Sequence, residues 1–345
     1  MKRLSLVMVL VFALSFLVSC APGGGEKLYV FNVGDYMDPD VIKDFEKEFN
    51  VKVIYTEYAS NEDLYVKIKT TKDPYDVIFP SDYMLERLSK EQLIQKIDKS
   101  KIDNKKYIDE YYLNREFDPN NDYSLPFMAG TVGIVYNAAK YPNGIDNWAD
   151  LWKSDYERDV VLYNSQRDVL MIALKKLGYS MNTKNIDELE EAKEELLKQK
   201  PLIYGYLGDE IKDVLVAEDA NIGVVYSGDA GVIMSQNPNY QYVLPSEGTN
   251  LWIDAMAIPN TAQNVDMAHE FINYLLRPEI QARNAEYLQY ATISKEAKKI
   301  VPEEIVNNKA LYPDEESLKN TEVFVDPSEV IDVYDRIWTE ILSGL

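Results

Sequence analysis

The sequence predicts an α/β protein of two lobes, each a sheet flanked by helices, with a cleft between them. Three observations predict it. The chain has 345 residues, about two domains at roughly 150 residues each. Short β-rich runs alternate with helical periods, the pattern of strands joined by crossover helices. The alternation stops at a loop and then restarts, as expected for a second α/β unit.

In chain order, residues 27–33 are rich in β-formers and read as a strand. Pro39 near a helix start, then Val41, Ile42, Phe45 and Phe49 at helical spacing, read as a helix. Residues 51–55 are a second strand, 61–70 a helix, 76–79 a third strand and 83–88 a helix. Residues 117–122 form a loop by their turn residues. The second unit then begins with a strand at 131–136, a helix starting at 148–152 and a strand at 159–163. Helices at 167–177 and 187–199, strands at 222–226 and 252–259, and a helix at 265–276 follow. The alternation predicts parallel strands, whose ligands bind beyond the carboxyl ends. The turns at 32–36 and 80–83 fall at such ends.

Composition is that of a folded protein, 46% hydrophobic and 27% charged. The formal charge of −22 excludes a nucleic-acid binder, which needs a basic face for phosphates. It favours a cationic ligand through its negative field, and it equally serves solubility.

The N-terminus reads as an address. Lys2 and Arg3 precede an apolar run at 4–18, followed by small residues, the arrangement of a secretory signal over 1–19. Leu17-Val18-Ser19-Cys20 resembles a bacterial lipobox, which implies a lipidated Cys20 and membrane contact through that anchor only. Cys20 is the only cysteine, so no internal disulfide is expected, and 20–26 is a Gly-rich tether.

No catalytic or phosphate-cradling signature is present, so no enzyme and no cofactor are expected. The lone histidine, His269, is expected at an exposed or capping position on its helix. Asp118 to Asp122 lacks the spacing of a calcium loop and reads as a plain turn, so no metal is expected. The unusual feature is 26 Tyr and 4 Trp, several beside acids at strand ends. Tyr36 follows Asp35, Tyr83 follows Asp82, Trp252 lies two residues before Asp254, and Tyr226 three before Asp229. Carboxylates with aromatic faces suit a desolvated ammonium, which needs a paired charge and gains cation–π attraction. The competing reading is core packing and strand propensity.

Several segments together resemble the spermidine/putrescine-binding group of periplasmic substrate-binding proteins. They include Leu28-Tyr29-Val30-Phe31-Asn32, Asp76-Val77-Ile78-Phe79-Pro80-Ser81, Trp148-Ala149-Asp150-Leu151-Trp152 and Trp252-Ile253-Asp254-Ala255-Met256-Ala257-Ile258-Pro259. The resemblance covers essentially the whole chain after the leader. It implies a type II binding fold with lobe 1 from 27–133 plus 255–298 and lobe 2 from 134–254 plus 299–345. It implies a monomeric receptor that delivers putrescine or spermidine to ABC permease subunits. By similarity, Tyr36, Ser81, Tyr83, Asp168, Trp252, Asp254 and Tyr290 fall on ligand-contacting positions, with Asp254 as the central carboxylate. Tyr226 stands where the family usually has Trp. Asp229 and Asp35 match acids of putrescine-preferring members, whereas Ser165 and Phe324 replace an acid and a Gln of spermidine-preferring ones. The balance leans to putrescine. Rival readings are another organic cation, a carboxylate or metal–anion ligand held by bases such as Arg167, and an enzyme on the same scaffold.

Overall fold

The computed structural model describes residues 25–34 and 36–344. The leader, Cys20 and Asp35 lie outside the described residues.

The first block is β1 (Lys27–Val33), α1 (Pro39–Phe49), β2 (Lys52–Tyr58), α2 (Asn61–Thr70), β3 (Val77–Ile78), α3 (Asp82–Lys90) and β4 (Ile94–Gln95). The second is β5 (Ser124–Asn137), β6 (Val160–Tyr163), α4 (Gln166–Lys176), α5 (Ile186–Gln199), β7 (Ile203–Leu207), α6 (Ile211–Val216), β8 (Ile222–Tyr226), α7 (Ser227–Gln236) and β9 (Tyr240–Val243). The chain returns through β10 (Leu251–Pro259), α8 (Val265–Leu275), α9 (Pro278–Leu288) and β11 (Ala291–Thr292). Two single turns, α10 (Lys295–Lys298) and α11 (Glu303–Val306), precede the closing helix α12 (Ile331–Ser343). Residues 148–152 form a tight 3₁₀ turn instead of the start of an α-helix.

The strands run in the order β2-β1-β3-β10-β5-β8-β6-β7. β1, β2 and β3 are parallel, and so are β6, β7 and β8, as the crossover helices require. β5 and β10 are antiparallel to their neighbours. The expected parallel sheet is therefore two parallel blocks with an antiparallel pair between them. The reason is connectivity: β10 reaches the first block from the second without a crossover helix.

β5 is the strand that spans both blocks. It pairs with β10 through residues 124–131 and with β8 through 132–136. All of its 14 residues are buried, which explains an apolar run without alternation. Pro126 donates no ladder hydrogen bond, and the register with β10 shifts opposite it, between Asp254 and Ala255. That irregularity sits at the residue expected to be the central carboxylate.

A single core runs through both blocks. Phe45 packs edge-on to Phe271 at 4.8 Å in the first. In the second, Trp148 is fully buried, and its Nε1 donates to the Gly248 carbonyl at 2.8 Å. α12 packs on α5 and α4. The return segment touches both sides: Val301, Ile305 and Leu311 pack with Ala282 and Ala285 of α9, while Ala310 joins the core around β8.

Two motifs behave structurally. Asp118 accepts from the backbone N–H groups of Asp122, Tyr123 and Ser124, which makes the loop a self-capped turn. His269 departs from the exposed or capping position expected of it and lies buried within its helix. It is 2% exposed, and its Nε2 accepts from the Asp98 N–H at 2.9 Å. The cause is packing of α8 against the single turn Lys99–Lys101. No helix among the described residues is long and apolar enough to cross a membrane.

Candidate functional site

The strand ends bring four carboxylates, three of them buried, and a row of aromatic rings together where the two blocks face each other. Tyr36 follows β1, Ser81 caps α3, and Asp254 lies on β10. The Tyr36 hydroxyl donates to Asp254 Oδ2 at 2.8 Å, and the Ser81 hydroxyl also bonds that carboxylate. Asn61 Nδ2 holds Ser81 Oγ at 3.0 Å. Burial pushes the Asp254 carboxyl up to about 6, with the two hydroxyl donors opposing the rise. Asp82, beside it, is 1% exposed and accepts the N–H groups of Tyr83 at 2.7 Å and Ile253 at 3.2 Å.

From the other block come Asp168 and Asp229. Ser165 is the N-cap of α4, and its Oγ donates to Asp168 Oδ2 at 2.7 Å. The Tyr226 hydroxyl donates to the same oxygen at 2.8 Å. The other oxygen, Oδ1, is buried and has no hydrogen-bond partner. Burial raises the Asp168 carboxyl above its ordinary value. Asp229, in the first turn of α7, accepts from the Tyr163 hydroxyl at 2.7 Å and from Lys212 Nζ at 3.1 Å. Burial raises it too, against the pull of Lys212.

The rings form a continuous wall. Tyr226 meets Trp252 at 6.3 Å, Trp252 meets Tyr290 at 5.0 Å, and Tyr290 meets Tyr36 at 6.0 Å, all edge to face. Two glycines permit this approach. A Cβ on Gly130 would lie 2.3 Å from the Trp252 ring, and one on Gly228 would lie 2.3 Å from the Tyr290 ring.

Tyr36, Ser81, Asp168, Ser165, Tyr226, Asp229, Trp252, Asp254 and Tyr290 thus belong to one cluster. Tyr83 and Phe324 lie against Arg167, whose guanidinium is 5.6 Å and 4.3 Å from their rings. The Tyr83 hydroxyl donates to Glu62 at 3.0 Å. Arg167 itself bonds the Val325 carbonyl and Asn182, so it binds the return segment to α4. Sequence reasoning did not select Tyr163, Asp82 or Lys212 for the site. Tyr163 ends a strand as Tyr226 does, so a signal existed; Lys212 sits on a short helix with nothing local to mark it.

Residues 40–313 match the profile of bacterial extracellular solute-binding proteins. The chain belongs to that family. The spermidine/putrescine-binding periplasmic protein of Escherichia coli K12 is 39% identical over 319 residues, 92% of each chain. The putrescine-binding periplasmic protein PotF of the same organism is 30% identical, over 92% of this chain and 91% of its own. Among solved structures, PotD of Streptococcus pneumoniae, a spermidine/putrescine ABC transporter substrate-binding protein, is 39% identical, with a TM-score of 0.83 over 92% of this chain and 99% of that one. This solute-binding protein has the two-lobed type II fold.

Proposed function

We propose that this chain is the receptor of a polyamine ABC importer: it binds putrescine or spermidine without chemical turnover and delivers it to the permease. One observation carries the reading. Asp168 Oδ1 is buried without a donor, in a cluster that holds the buried acids Asp82 and Asp229 beside Asp254 and is walled by aromatic rings. An ionised buried carboxylate needs a cationic donor, and an ammonium supplies charge and N–H groups together. Asp254 and Asp168 receive the amines; Trp252, Tyr36, Tyr226 and Tyr290 flank the methylenes. Relatives named for spermidine and putrescine support the ligand class. The carboxylate-ligand alternative is disfavoured because Arg167 is engaged by the return segment.

In this reading the lobes are 27–133 plus 255–298 and 134–254 plus 299–345, with the return segment touching both. The change of β5 partner after Thr131 supports the first cut. Cys20 carries the lipid after loss of 1–19, and the receptor acts as a monomer. A thermal-shift panel of diamines, triamines and dicarboxylates tests the function. Ligand binding raises the unfolding temperature by mass action, so amines are expected to stabilise and dicarboxylates to leave the curve unmoved. The opposite order overturns the proposal.

A further inference from the structure

The acids in the cleft are not equivalent. Asp82 is held by two backbone N–H groups. Asp254 has two hydroxyl donors and no cation, and Asp168 has an oxygen with no donor at all. Asp229 alone already holds an ammonium, that of Lys212, at 3.1 Å, and its second oxygen takes the Tyr163 hydroxyl. The Asp229 side chain is 11% exposed and that of Lys212 30%, so the pair is partly shielded from water and its charges are screened only in part. The expectation that Asp229 receives one end of a diamine therefore meets a protein cation already in that place.

We propose that Lys212 is a specificity-determining residue: its ammonium holds the Asp229 end of the cleft and restricts the site to ligands with two charged amines. The inference rests on the polyamine reading. Two ammonium groups find Asp254 and Asp168. A third must either displace Lys212 from a buried carboxylate or lie beside a like charge, and both oppose binding. Discrimination then comes from repulsion by the protein's own cation as much as from attraction.

The test is calorimetric titration of wild type, K212M and K212Q with putrescine and with spermidine. Wild type is expected to prefer putrescine. Both variants leave Asp229 without its cation, and each should raise spermidine affinity relative to putrescine by about tenfold or more. K212R keeps the charge and should keep the wild-type ratio. Ligand-free thermal unfolding of each variant establishes that it folds, and two different truncations guard against one failing to do so. Wild type preferring spermidine, or an unmoved ratio in both K212M and K212Q, overturns the inference while leaving polyamine binding intact. Wild type binding neither amine overturns the polyamine reading and this inference together.

Discussion

Asp254 combines burial with two hydroxyl donors, and the balance leaves its carboxyl near 6 rather than in the ordinary acid range. Two outcomes follow. Asp254→Asn keeps the shape but removes the charge opposite the proposed amine. Truncating one side of a buried charge pair costs about 2–5 kcal/mol, so putrescine affinity should fall at least about 30-fold by calorimetry. An unchanged affinity would remove Asp254 from the site. The second outcome concerns pH. A carboxyl raised on folding stabilises the ligand-free protein most at low pH, and that contribution is lost as pH rises through about 6. An amine selects the ionised form, so below about 6 binding must release a proton. Affinity should then drop by up to about tenfold per pH unit on acidification, and Asp254→Asn should flatten that profile. A slope that survives the substitution assigns it to another acid, with Asp168, also raised by burial, next in line.

At the scale of elements, the acid-and-ring cluster depends on close approach of segments far apart in the chain. Gly228 lies in α7, and the Tyr290 ring that would clash with a Cβ there belongs to the segment after α9. Gly228→Ala replaces a helical glycine, which by itself favours the helix by up to about 1 kcal/mol. The clash with the Tyr290 ring opposes that gain, so the expected result is an unfolding temperature without ligand that is unchanged or lower, together with an affinity about tenfold lower, equivalent to about 1.4 kcal/mol. Loss of stability without loss of affinity would show that the Tyr290 contact serves folding alone. α4 has a comparable double role, since Ser165 both caps the helix and bonds Asp168.

At the scale of the whole molecule, 58 acidic residues against 36 basic ones give a field that draws cations toward the surface. The described residues contain no spanning helix, so membrane attachment rests in our proposal on Cys20. Cys20→Ser should leave amine affinity unchanged and abolish incorporation of labelled fatty acid. If the wild type never takes up the label, the lipidated-anchor proposal fails.

Local chemistry made a large part of this protein legible. β1, α2 and β8 are legible from their residues, because β-rich runs and helical composition are local signals that do not depend on which element each one pairs with. Aromatic residues beside acids marked Tyr36, Tyr226 and Asp229 after strand carboxyl ends, where such sheets gather their ligands, and Trp252 and Asp254 in the first half of β10. What depended on distant partners was not legible. The antiparallel β5 and β10, the register shift at Asp254 and the burial of His269 all arise from elements far apart in the chain. Ser165 spends its hydroxyl on the α4 cap and on Asp168, and Phe324 turns to Arg167, neither of which a position in the chain reveals. Lys212 shows the limit most clearly. Its charge was visible, but only the packing of α6 against α7 put it on Asp229, because an ion pair is set by the spatial approach of two side chains and not by their spacing in sequence.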